Sequence, residues 1–133
     1  MITAGFKETG KEGVSLEKEL TAKIKKYKMR LIGPNCMGLI NTNPKVKLNC
    51  TFVQGTPIGG GIGFISQSGA LGAAVLKTVQ QNDIGLAQFV SIGNKADVSG
   101  NTILDYWWHN DDIKVITLYL ESFGNPRHFM ELT

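Results

Sequence analysis

Gly61-Ile62-Gly63-Phe64-Ile65-Ser66-Gln67-Ser68-Gly69-Ala70-Leu71 decides how this chain is read. An apolar run stops at two serines and a glycine, and helical spacing follows. Residues 61–66 predict a buried strand. Residues 69–81 predict a helix with Leu71, Ala74, Val75, Thr78 and Val79 on one side. Working outward, residues 86–92 predict a strand, residues 102–108 a helix and residues 115–120 a strand. Pro126 is placed to open a further helix in its first turn. The order βαβαβα predicts an α/β fold: a parallel sheet with right-handed crossovers and helices on both faces, three layers in all. The strands are almost continuously apolar, as strands covered on both faces should be.

Upstream the pattern is less regular. Residues 2–6 read as the end of a strand, 12–27 as a helix and 29–32 as a strand stopped by Gly33-Pro34. Met37–Ile40 is a second short apolar run. From Asn41 to Gly61 there is little periodicity, with Pro44, Pro57 and three consecutive glycines at 59–61, which predicts a boundary between two units. A three-stranded parallel sheet would leave two open edges. That predicts a fragment of a longer protein, or a sheet completed by other copies.

Composition narrows the classes. The chain has 133 residues, 42% apolar and 19% charged, the balance of an ordinary globular domain. No apolar run approaches the roughly 18 residues of a membrane span. No basic-then-apolar leader opens the chain. Two cysteines without metal-ligand company argue against a disulfide scaffold or a metal site, so a cytoplasmic protein is expected. Residues 1–50 carry ten Lys/Arg against four Glu, whereas residues 51–133 carry four against seven acids. The basic excess around Lys18, Lys23, Lys25, Lys26, Lys28 and Arg30 reads as a solvated helix face. No aromatic interleaving or motif supports nucleic-acid binding.

Four predicted strand ends carry polar groups, on the edge where open α/β sheets bind ligands. The sharpest is Ser66-Gln67-Ser68-Gly69. A helix N-terminus offers unpaired N–H groups and a positive dipole end, and small residues let an anion come close. Ser68 acting only as a helix cap is the simpler reading. Ser66-Gln67-Ser68-Gly69-Ala70 is also a loose nucleophile elbow. With Asp97, Asp105 or Asp111 and then His128 it would make a serine hydrolase. Asn35 and Cys36 follow Gly33-Pro34 as a polar turn with a thiol. Asn94, Lys95 and Asp97 form a possible substrate turn, and Glu121 is a strand-end carboxylate able to orient a histidine.

Leu31-Ile32-Gly33-Pro34-Asn35-Cys36-Met37-Gly38, Ile65-Ser66-Gln67-Ser68-Gly69-Ala70-Leu71, Ser91-Ile92-Gly93-Asn94-Lys95-Ala96-Asp97-Val98 and Tyr119-Leu120-Glu121 occur in that order. Together they resemble the α-subunit part of nucleoside-diphosphate-forming acyl-CoA synthetases, with the acetate-type, ADP-forming branch nearest. The succinate-type branch usually carries arginine where Gln67 stands, and Gly-Gly-Asp in place of Gly-Asn-Lys-Ala-Asp.

The resemblance implies a succinyl-CoA-synthetase-like chain in two units. Residues 1–55 would end a Rossmann-like coenzyme A-binding domain, and residues 59–133 would begin a flavodoxin-like one. It implies that acyl-CoA and phosphate give acyl phosphate and coenzyme A, and that a phosphohistidine then passes the phosphoryl group to ADP. Ser66, Gln67, Ser68 and Gly69 match the phosphate-cradling helix start. Glu121 matches the carboxylate that orients the catalytic histidine, and Asn35 and Cys36 match the turn near the thioester. Acyl-CoA and an ATP-grasp domain or β subunit, which holds ADP/ATP and Mg, are the implied partners, and an oligomer is expected. The catalytic histidine is expected beyond Thr133, because neither His109 nor His128 sits in a matching motif. The segment alone is expected to be inactive. A second expectation comes from a related class: a synthetase-like regulatory domain of a protein-lysine acetyltransferase.

Overall fold

The computed structural model describes residues 1–133. A 3-10 turn at Phe6–Thr9 leads into α1 (Lys11–Lys26). β1 (Gly38–Asn41) and β2 (Leu48–Thr51) follow, then β3 (Gly59–Ser66), α2 (Gly69–Gln81) and β4 (Leu86–Ser91). α3 (Gly100–Trp108), β5 (Val115–Tyr119) and α4 (Pro126–Leu132) complete the chain. The strands form one five-stranded sheet in the order β2-β1-β4-β3-β5. β3 runs parallel to both β4 and β5, while β1 is antiparallel to both β2 and β4. The three parallel strands match the expectation. The sheet is larger than three strands and mixed, because the hairpin β1–β2 extends it beyond β4.

Alternation along the strands makes two cores. Ile40, Phe64 and Phe89 face α2 and meet Leu76 and Val79. Ile65 and Val90 face the other way, against Ile103, Leu104 and Trp107 of α3, with Leu118, Phe129 and Leu132 packed alongside. Three layers therefore form, α2 on one face and α3 with α4 on the other. The buried positions of α2 are Gly72, Leu76 and Val79, while Ala74 and Thr78 are exposed, so the helix sits about one residue round from the predicted face. Gly72 explains the setting: a Cβ there would lie 2.9 Å from the Phe89 ring.

The N-terminal expectations fare less well. No strand forms at 2–6. Nor does one form at 29–32, where Leu31 and Gly33 instead lie against the loop after β4. That loop donates Val98 N–H to Leu31 O (3.0 Å), Ala96 N–H to Gly33 O (3.1 Å) and Asn94 N–H to Pro34 O (2.9 Å). The missed strand β2 is short and mostly exposed, so it shows no core pattern in sequence. β5 forms one edge of the sheet, with Val115, Ile116 and Tyr119 exposed. No helix is long and apolar enough to cross a membrane.

Candidate functional site

Topology opens the cleft. The chain leaves β3 toward α2 on one face, whereas its neighbours β4 and β5 lead to α3 and α4 on the other. Connections that diverge from adjacent parallel strands leave a crevice beyond their carboxyl ends. A cleft of about 290 Å³ lies there, bordered by Asn35, Cys36, Gln67, Ser68, Gly69 and Glu121, with Thr3, Glu8, Met37 and Phe52 completing it.

Two residues organise the start of α2. Ser68 caps it, its Oγ accepting from Leu71 N–H at 3.3 Å. Ser66 is fully buried and donates its hydroxyl to Ser68 O at 2.6 Å. The first backbone bond of the helix is Gly72 N–H to Ser68 O. The N–H groups of Gly69 and Ala70 come before it, so they have no intrahelical acceptor. A Cβ at Gly69 would meet nothing within 4 Å. The helix front is therefore open, with N–H groups and the positive dipole end available to an anion. Ser66 shapes this turn from beneath and does not reach the cleft.

Across the crevice stands Glu121. Gln67 Oε1 accepts from Glu121 N–H at 3.1 Å, and Gln67 Nε2 donates to Glu121 Oε2 at 3.2 Å. Lys95 approaches from the side, its Nζ donating to Ser122 Oγ (2.6 Å) and Ser122 O (2.9 Å). Burial pulls the Lys95 ammonium below the ordinary lysine range, and Lys7 adds to this while Glu121 opposes it.

Asn35 and Asn94 come together, and their amide N–H donors are engaged within the protein. Asn35 Nδ2 donates to Glu8 Oε2 (2.7 Å) and Asn94 Oδ1 (3.2 Å), and its N–H donates to Thr3 Oγ1 (3.1 Å). Asn94 Nδ2 in turn donates to Glu17 Oε2 and Gly5 O. The two loops touch because Gly93 has no side chain. A Cβ there would lie 2.3 Å from Asn35 O, and its φ of +51° also favours glycine. Cys36 is buried with its thiol toward Met1 O and Ile32 O.

Asp97 stands apart from the cleft and binds Leu31 N–H (2.7 Å) and Arg30 Nε (3.0 Å). Burial pushes its carboxyl up, but the Leu31 N–H bond and the Arg30 and Lys25 cations outweigh that and hold it below the usual carboxylate range. No histidine borders the cleft, so the hydrolase constellation is not assembled. His109 is exposed at the end of α3, and His128 lies by Asn125 and Asp105 at another hollow. A larger hollow of about 480 Å³ beside α1 includes neither the start of α2 nor Glu121.

Thr3, Glu8 and Phe52 escaped the sequence reading. Glu8 follows a segment misread as a strand, and Phe52 follows the strand that had no pattern. Only the parallel-sheet rule, applied to the whole carboxyl edge, points to that region.

Residues 59–133 match the family described as succinyl-CoA ligase like flavodoxin domain. The chain is 45% identical over 132 residues to acetate–CoA ligase (ADP-forming) II subunit alpha of Pyrococcus furiosus, covering 99% of this chain and 28% of that protein. It is 42% identical over 132 residues to acetate–CoA ligase (ADP-forming) I of Archaeoglobus fulgidus, covering 99% of this chain and 19% of that protein. A solved structure of the dinucleotide forming acetyl-coenzyme A synthetase 1 of Ca. Korarchaeum cryptofilum, in complex with phosphate and ADP, superposes with a TM-score of 0.91 at 39% identity. The match covers 99% of this chain and 28% of that one. The chain thus spans less than a third of the length of each of these relatives.

Proposed function

The chain belongs to the succinyl-CoA-ligase-like flavodoxin domain family, and from that premise we propose that it forms part of an ADP-forming acid–CoA ligase of the acetate type. One observation carries the reading: the open N-terminus of α2, with the Gly69 and Ala70 N–H groups unpaired, faces a cleft shared with the Glu121 carboxylate. The Korarchaeum relative, whose structure holds phosphate and ADP, supports it.

On this reading residues 1–55 close a coenzyme A-binding unit and residues 59–133 open the flavodoxin-like one, and their strands share one sheet. Phosphate lies against the α2 start, where fixed N–H dipoles stabilise its charge without reorganising. A phosphate oxygen attacks the acyl-CoA carbonyl. The C–S bond breaks, coenzyme A leaves as thiolate, and acyl phosphate remains. Asn35 and Cys36 line the thioester side of the cleft. A histidine from elsewhere in the longer protein then takes the phosphoryl group and releases the acid, with Glu121 accepting its other ring N–H and so fixing its tautomer. ADP and Mg belong to an ATP-grasp domain or β subunit, where ATP forms. The assembly is assigned to the cytoplasm.

The test is ATP formation by the purified full-length protein, assembled with its β subunit where the ATP-grasp part is a separate chain, supplied with acetyl-CoA, ADP and phosphate. Phosphate-dependent ATP and coenzyme A in equal amounts are expected. Retained binding of acetyl-CoA and phosphate with no ATP would sink the ligase reading and favour a regulatory domain.

A further inference from the structure

We propose that Gln67 is a positioning residue for Glu121 and not a ligand of the phosphate. The proposal rests on the ligase reading above for its kinetic consequence, and on geometry for the rest. Gln67 is tied to the β5 exit by three bonds. Its N–H donates to Tyr119 O at 2.9 Å, which carries the β3–β5 ladder one step past Ser66 and Tyr119. Its amide grips Glu121 two residues further on: Oε1 accepts from Glu121 N–H, and Nε2 donates to Glu121 Oε2.

The amide cannot be turned round. An N–H on Glu121 requires an acceptor, so Oε1 must face it, and the two donors of Nε2 are left for the carboxylate. One side chain thus needs an acceptor and a donor at the same time. Glutamate supplies only acceptors, arginine only donors and leucine neither. Glu121 is exposed, so nothing in the core fixes its carboxylate, and this clamp is what holds it. With Oε2 held by Gln67, Oε1 is left to accept from a ligand or an imidazole. The clamp also ties the carboxylate to the turn that starts α2, so the two walls of the cleft keep one spacing.

The full-length enzyme, with Gln67→Leu, Gln67→Glu and Glu121→Gln made singly and Gln67→Leu combined with Glu121→Gln, tests the idea. Two readouts are taken: steady-state ATP formation from acetyl-CoA, and hydrogen exchange at the Glu121 amide. Gln67→Leu is expected to lower kcat about tenfold, as loss of a bond to a charged group would, with KM for phosphate unchanged. It is also expected to speed exchange at the Glu121 amide. Gln67→Glu keeps the acceptor, so it should leave exchange slow yet lower kcat at least as much. In the Glu121→Gln background, Gln67→Leu should add little, because it acts through the carboxylate. A raised KM for phosphate at unchanged kcat would make Gln67 a phosphate ligand and overturn the proposal, as would additive losses in the double variant. If the unaltered enzyme forms no ATP, the ligase reading falls on its own. The exchange rates then decide the clamp: unchanged exchange in Gln67→Leu refutes it, and faster exchange upholds it.

Discussion

Asn94 Nδ2 donates to Glu17 Oε2 at 2.8 Å, and this bond joins the loop after β4 to helix α1. Asn94 is 3% exposed, and its Nδ2 also donates to Gly5 O. The amide therefore faces a carboxylate and a carbonyl in a nearly dry place. Replacing its donor with an acid oxygen sets like charges together there. Asn94→Asp is expected to destabilise by about 2–4 kcal/mol, more than Asn94→Ala. Denaturant midpoints of the two variants check this. The ranking should narrow when Glu17→Gln is added to Asn94→Asp, since one of the two charges is then gone.

Asp97 gives a pH dependence of known sign. Its folded carboxyl lies below the ordinary value of 3.8, through the Leu31 N–H bond and Arg30 acting against burial. The unfolded chain thus binds the proton more readily. The stability that Asp97 contributes is complete above about the unfolded value and is lost as pH falls through the lower, folded one. Asp97→Ala should cost about 1–2 kcal/mol at pH 7, and the gap to the unaltered protein should close as pH falls below the ordinary carboxyl value. Urea titrations at several pH values measure it. A gap that stays constant with pH would mean that the charge contributes nothing.

Trp107 offers a packing test. Its indole N–H donates to Gln88 Oε1 at 2.8 Å, both residues being buried. Its ring covers Gly63, where a Cβ would lie 2.7 Å from Cζ3. Gly63→Ala forces the ring or the strand to move, at about 1–3 kcal/mol. Gln88→Leu leaves the indole N–H without an acceptor, at about 1–3 kcal/mol. Tryptophan fluorescence through a melt reports both. Gly63→Ala should shift the native emission as well as the midpoint, whereas Gln88→Leu should lower the midpoint with less change in ring position.

These residues also show why some of the molecule was readable in sequence and some was not. The 59–133 region carries its own punctuation: apolar strands, the Ser68 cap and Pro126 at a helix start. Local chemistry fixes those elements, so they fall within a residue or two of expectation. The stretch 28–58 is organised by distant partners instead. Leu31 is held by Asp97 and Val98, and β1 takes its register from β4. No local period records such contacts. The candidate site divides in the same way. Strand-end polarity marked Gln67, Ser68, Gly69 and Glu121, because a parallel sheet gathers those ends. The same signal marked Asp97, which serves the backbone of residue 31. Composition does not separate Glu121 from Asp97, because each is a carboxylate in a loop that leaves a parallel strand.

The start of α2 allows stability and anion binding to be separated at one position. Gly69 is the first residue of the helix, and a side chain there meets open space. Gly69→Asp places a carboxylate at the positive end of the helix dipole, worth about 0.3–1 kcal/mol in stability, and removes a glycine from the first turn. The melting temperature is expected to hold or rise by a few degrees. The same carboxylate occupies the volume and the charge that a phosphate would take, so phosphate affinity should fall at least tenfold, roughly the effect of one like charge at close range. Calorimetric titration with inorganic phosphate, beside a thermal melt, reads both effects in one sample. Unchanged phosphate affinity would place the anion elsewhere in the cleft. A lower melting temperature would mean that the front of α2 is not open to an added side chain.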